Sequence, residues 1–182
     1  MTTPSARTAL ILGGARSGKS RFAEAIVSRT GLPATYLATA EIRDAEMQAR
    51  ISTHRERRGG DWTTVEEPLE LTDRVAALAD PDRVLLVDCL TLWLSNLMEA
   101  ERDIPAEAAR LAEALRGARG PVVLVSNEVG SGIVPMNALA RRFADEQGRL
   151  NQQIAAAVET VFLVAAGLPV RLKPNPDTEF AL

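Results

Sequence analysis

The chain is poor in several residue types that define whole classes of protein. It has one cysteine, Cys89, and one histidine, His54, among 182 residues. A single thiol forms no internal disulfide, and Cys89 lies in the apolar run RVLLVDCLTLWL, where a small buried side chain is the expected reading. Such cysteine usage suits a reducing cytoplasm. There is no excess of basic charge: the formal net charge is -3, which argues against a dedicated nucleic-acid binder, so any basic site has to be local. No apolar run is long enough to span a membrane, and the N-terminal MTTPSARTALILGG passes straight into glycines without the cleavage pattern of a signal peptide. Internal repeats, low-complexity tracts and long linkers are also lacking. Only RRGG at 57–60 and the tail KPNPDTEFAL read as loose, so residues 1–182 are expected to form one domain.

What is present is an alternation of short apolar runs and longer helical patterns. The runs are 8–13, 34–39, 83–88, 121–126 and 160–165. They are continuously apolar, as strands covered on both faces are. Helices are expected at 18–29, 42–58, 68–79, 91–118 with a break before Pro105, and 136–159. This is the pattern of a three-layer α/β fold with a mostly parallel sheet. Ligands in such folds bind at the carboxyl ends of the strands, which selects the loops at 13–19, 39–44, 88–91, 126–135 and 166–169.

The first of these loops carries chemistry. Gly13, Gly14, Ala15, Arg16, Ser17, Gly18, Lys19 and Ser20 fit G-x-x-x-x-G-K-[ST] between an expected strand and an expected helix, the context a phosphate loop requires. Glycines let backbone N–H groups turn towards an anion, and the helix start adds its positive dipole end. Lys19 is then expected at the β- and γ-phosphates and Ser20 on Mg²⁺. Asp88, ending the third run, is the expected second partner of the metal. No N-K-x-D element appears, and DCLT is not the D-x-x-G of a switch GTPase, which argues against a Ras-like timer and not against GTP as a substrate.

His54 lies in EMQARISTHRERRGGDW. On a helix over 42–58, Met47, Arg50, Ile51, His54 and Arg58 share one stripe, half apolar and half cationic. By itself this reads as a solvated basic helix end. The arginines alter the chemistry: each guanidinium about 6 Å away disfavours imidazolium by about 1.4 kcal/mol, or about one pKa unit. A neutral imidazole can attack phosphorus while the same arginines offset phosphate charge.

Together with the phosphate loop, the segments YLATAEIRDAEMQARISTHRERR, VDCLTLWLSNLM and VSNEVGSGIVPMNALARRFADEQGRLNQQIA resemble the bifunctional adenosylcobinamide kinase / adenosylcobinamide-phosphate guanylyltransferase family of cobalamin biosynthesis, over about residues 8–172. The resemblance implies a RecA-like P-loop fold and two reactions. Adenosylcobinamide is phosphorylated with ATP or GTP, and GMP is then transferred from GTP to give adenosylcobinamide-GDP and pyrophosphate. It further implies that His54 forms a covalent guanylyl intermediate and that Arg55, Glu56, Arg57 and Arg58 contact nucleotide. Ala38, Thr39 and Ala40 match a further nucleotide-contacting turn, and Glu66 and Asp88 match acidic positions at nucleotide or metal. Association into a homo-oligomer, with a trimer as the candidate, is also implied. Some relatives carry a His-His pair where this chain has Thr53-His54, and some carry Glu in place of Asp88. Glu128 is a candidate for positioning substrate; Arg141, Arg142 and Arg149 read equally as a solvated helix face, and Trp62 and Trp93 as packing residues. Two other readings stay open on the residues alone: a P-loop small-molecule kinase without nucleotidyl transfer, and a GTP-dependent regulatory module.

Overall fold

The structure is a computed structural model and describes residues 7–40 and 62–175. The expected helix 42–58, with His54 and Arg55 to Arg58, lies outside the described residues.

Among the described residues, seven strands form one sheet: β1 (Thr8–Gly13), β2 (Ala34–Ala38), β3 (Trp62–Glu66), β4 (Val84–Asp88), β5 (Val122–Asn127), β6 (Thr160–Ala165) and β7 (Leu168–Lys173). Their spatial order is β3-β2-β4-β5-β1-β6-β7, parallel except for the antiparallel β6–β7 pair. The five expected strands are all present. The two that were not expected, β3 and β7, are the sheet edges. Strand β3 reads WTTVE, five residues that are half-buried or exposed and mostly polar instead of running apolar. Strand β7 contains Pro169, which has no N–H for a ladder and is tolerated at an edge. The loop expected at 166–169 is thus only the turn at Ala166 and Gly167, both with positive φ, and β7 takes up the first residue of the expected tail.

The described helices are α1 (Lys19–Ser28), α2 (Leu71–Leu78), α3 (Leu90–Glu99), α4 (Ile104–Arg116) and α5 (Ala138–Ala157). The long pattern from 91 divides as expected near Pro105, which occupies the first turn of α4, where a missing N–H costs nothing. Asp103 caps that turn by accepting from Ala106 N at 3.1 Å. Asn137 caps α5 by accepting from Leu139 N at 2.8 Å and Ala140 N at 3.2 Å.

Two apolar clusters show how the layers are assigned. Ala23 and Val27 of α1 pack with Ile11, Tyr36, Leu86, Val123, Val125 and Val164 on one face of the sheet. Helices α2 to α5 cover the other face, against Leu10, Leu37, Leu85, Val87, Val122, Leu124 and Val161. Alternate residues of one strand therefore belong to different layers, as the two-residue strand period requires. Trp93 is fully buried in the larger cluster and donates its indole N–H to Leu69 O at 2.9 Å, which makes it a packing residue. Trp62 packs, partly buried, at the margin of the smaller one.

Candidate active site

The phosphate loop joins the buried end of β1 to the start of α1. Gly18 caps the helix in the left-handed conformation, φ 94°, which suits a residue without a side chain. Loop geometry is set from within by Ser17 N–H donating to Gly14 O at 3.2 Å and Phe22 N–H donating to Gly18 O at 3.0 Å. It is set from outside by the β6–β7 turn, whose Gly167 N–H donates to Ser17 O at 2.8 Å. A Cβ on Gly13 would lie 2.4 Å from Ser17 Oγ and 2.6 Å from Val164 O, so nothing larger than glycine fits there. At Gly14 a Cβ would meet nothing within 4 Å, so neither crowding nor a positive φ demands glycine at that position. Lys19 Nζ donates to Gly14 O at 3.3 Å, which holds the ammonium over its own loop.

On the far side of β5, β4 ends at Asp88. In strand parity Asp88 follows Val84 and Leu86, both packed on the α1 layer, so its side chain belongs to the face on which α1 begins. Tyr36, of the same layer, donates its hydroxyl to Asp88 Oδ2 at 3.2 Å. Ala38 pairs in register with both Asp88 and Glu66. The sheet thereby draws Gly13, Ala38, Glu66 and Asp88, from four strands, to one edge.

Thr39 is fully buried, and its hydroxyl has work other than a ligand contact. It accepts from Cys89 N at 2.9 Å and donates to Cys89 O at 2.7 Å. Asn96, on α3, donates its carboxamide to Thr39 O at 2.8 Å and to Pro68 O at 3.0 Å. Glu67 N–H donates to Ala38 O at 2.9 Å. These bonds tie the ends of β2, β3 and β4 together beneath the site, leaving half-buried Ala40 nearer the surface.

Cys89 is buried as expected, and desolvation together with the adjacent Asp88 charge pushes its thiol up to about 11.

The segment after β5 also meets the phosphate loop: Glu128 N–H donates to Gly13 O at 3.1 Å. The Glu128 carboxylate folds back on its own loop, accepting from Ser131 Oγ at 2.7 Å, Gly130 N at 2.7 Å and Ser131 N at 3.3 Å. Ser131 foremost, then the Gly130 amide, holds the Glu128 pKa below its ordinary value despite some burial. The loop beyond it exposes Ile133, Val134 and Met136, and the first turn of α5 exposes Leu139. Arg141 is spent on the carbonyls of Pro135 and Met136, at 2.9 and 2.7 Å, and Arg149 pairs with Glu146 at 2.9 Å, so these two arginines are structural and surface groups.

Sequence reasoning passed over Asn96 and the cluster of Ser126, Asn127, Gln147 and Asn151. They lie within the segments that carry the resemblance, yet no local pattern gives them a task, because their partners are distant in the chain.

The fold resembles the RadB recombinase structure, with a TM-score of 0.52 at 16% identity, covering 86% of this chain and 73% of that one. In sequence, a bifunctional adenosylcobalamin biosynthesis protein CobP of Pseudomonas aeruginosa is 49% identical over 92% of this chain and 98% of that protein. The corresponding CobU of Escherichia coli is 42% identical over 90% of this chain and 98% of that protein. The family model described as cobinamide kinase / cobinamide phosphate guanyltransferase matches residues 9–172. With its phosphate loop, its opposed acidic strand end and these likenesses along most of its length, the chain belongs to the cobinamide kinase / cobinamide phosphate guanyltransferase family.

Proposed function

We propose that the chain phosphorylates adenosylcobinamide with ATP or GTP and then transfers GMP from GTP to the product through a guanylyl-His54 intermediate. The observation that carries this reading is the opposition of the phosphate loop to Asp88 on the α1 face of the sheet, in a chain of this family.

In the first reaction the acceptor hydroxyl oxygen bonds to the γ-phosphorus as the bond to the β–γ bridging oxygen breaks, leaving a nucleoside diphosphate. The loop amides and Lys19 stabilise charge on the phosphoryl oxygens. In the second, the His54 imidazole attacks the α-phosphorus, a P–N bond forms, and pyrophosphate departs with the electron pair of the broken P–O bond. The acceptor phosphate then displaces His54, which restores the free imidazole. One cradle serves both steps because the β- and γ-phosphates occupy it in each. Arg55, Glu56, Arg57, Arg58, Ala38, Thr39, Ala40 and Glu66 complete the proposed nucleotide site, with Thr39 acting through the backbone it holds.

Ser20 in the first turn of α1 and Asp88 supply a hydroxyl and a carboxylate, hard oxygen donors that fit Mg²⁺ shared with phosphate oxygens. When bound, that ion neutralises charge on the β- and γ-phosphates. The exposed Ile133, Val134 and Met136, in a loop rooted on Gly13 through Glu128, and Leu139 in the first turn of α5 supply the apolar surface that a corrin would cover. Assembly as a homo-oligomer, with a trimer as the candidate, and a cytoplasmic location belong to the same proposal.

Incubation with α-labelled GTP tests the covalent step. Acid-labile, base-stable label is expected on the wild-type chain and not on His54→Ala, while His54→Ala keeps kinase turnover. Wild-type protein that stays unlabelled with GTP and Mg²⁺ sinks the intermediate.

A further inference from the structure

The loop 128–137 joins β5 to α5, and a charged side chain ties down each of its ends. At the start, the Glu128 carboxylate accepts from Ser131 Oγ and Gly130 N, both at 2.7 Å, and from Ser131 N at 3.3 Å. These donors hold its pKa below the ordinary value, so at neutral pH the bonds are charge-assisted. At the far end, Arg141 on α5 reaches back and donates from Nη1 to Pro135 O at 2.9 Å and Met136 O at 2.7 Å. The whole stands on the phosphate loop through the bond from Glu128 N to Gly13 O, at 3.1 Å.

Two observations set this apart from an ordinary surface turn. A Cβ on Gly130 would lie 3.0 Å from Glu128 Oε1, so the turn gives the carboxylate a seat that a larger residue would crowd. The other is where the exposure falls: Ile133 is 99% and Met136 97% exposed, so holding them in place adds no burial to the core. A surface ordered without that gain is preorganised for a ligand, which then loses less entropy on binding.

We propose that Glu128 is a positioning residue for the acceptor: its carboxylate folds 128–131 into a fixed turn on Gly13, and the turn holds Ile133, Val134 and Met136 where a corrinoid seated on them presents its alcohol to the nucleotide. Glu128 touches no substrate and moves no proton. Its bond to Gly13 is made by the backbone and survives replacement of the side chain, so the nucleotide's own contacts are left alone. This rests on the reading of the apolar loop as the corrin surface.

The test uses the full chain with Mg²⁺ and GTP, and reads the KM for adenosylcobinamide in the kinase reaction beside the affinity for GDP by calorimetry. Glu128→Gln, which keeps the shape and removes the charge, should raise the acceptor KM about tenfold, because a binding surface populated for a fraction of the time binds more weakly by that fraction. GDP affinity should stay level. Ser131→Ala and Gly130→Ala should shift the acceptor KM the same way by less, and Ser131→Ala added to Glu128→Gln should change it little further, since both remove one interaction. A purely structural Glu128 would lower the urea midpoint and leave the acceptor KM unchanged; that result in Glu128→Gln or, should it not fold, in Ser131→Ala overturns the proposal. The double variant Ile133→Ser, Met136→Ser separates the inference from the reading beneath it. A raised acceptor KM there with a normal one in Glu128→Gln sinks the inference alone, whereas an unchanged KM there sinks the corrin reading of the loop and the inference with it.

Discussion

Replacing Asn96 by alanine tests the claim that a buried carboxamide holds the acidic edge of the site together. Asn96 is 7% exposed, and its Nδ2 donates to two carbonyls from different segments, Thr39 O at 2.8 Å and Pro68 O at 3.0 Å. The substitution leaves both acceptors in a region shielded by Trp93, Leu90 and Leu97. A buried group stripped of its partner costs about 1–3 kcal/mol, and carbonyls are at the tolerant end of that range, so the two together should cost about 2–4 kcal/mol. A domain with a typical stability of about 5–15 kcal/mol would survive this with a clearly lowered urea midpoint. Thr39→Val gives a second corner. It removes the hydroxyl that both accepts from Cys89 N and donates to Cys89 O, and it is close to isosteric. Since Asn96 binds the carbonyl of the same Thr39, the double variant should lose less than the sum of the single losses, with a coupling of about 0.5 kcal/mol or more. An Asn96→Ala loss below about 1 kcal/mol, or strict additivity with Thr39→Val, would refute the idea that these two side chains form one clamp.

Two further outcomes are expected. Gly13→Ala should destabilise the fold by about 1–3 kcal/mol and weaken nucleotide binding, because its Cβ meets a backbone oxygen at 2.6 Å; Gly14→Ala, open within 4 Å, should change the urea midpoint little. For Cys89 the folded thiol is pushed up to about 11 from its ordinary 9.0, so the folded state keeps a proton that the unfolded state releases. The associated stability is fully present below pH 9.0 and is lost as pH rises towards about 11; denaturation midpoints measured for the wild type and Cys89→Ala should therefore diverge in slope across that window, and parallel profiles would contradict it.

The phosphate loop was legible in the sequence because its chemistry is local. Eight consecutive residues supply the turn, the ammonium and the hydroxyl, and both flanking elements announce themselves by pattern. The apolar runs of the five inner strands were legible for a related reason: burial on both faces leaves no alternation to confuse with a loop. Edge strands β3 and β7 lack that signature, being half exposed or interrupted by Pro169, and so were not seen. Asp88 could be guessed from its place after an apolar run. Whether it faced the phosphate loop depended on strand parity across the sheet.

By itself, then, the sequence determined the class of fold, the anion cradle and the family, since each is written in contiguous residues or in likeness along most of the chain. Only the tertiary structure decided which residues share the cradle's side of the sheet. Register set Asn127 against Gly13 and Glu66 against Ala38, and alternation turned Asn127 and Asp88 to α1 while sending Ser126 to α5. The Thr39 hydroxyl is a buried clamp on Cys89 for the same reason: hydrogen bonds between distant segments assign a side chain its task, and no local pattern records them.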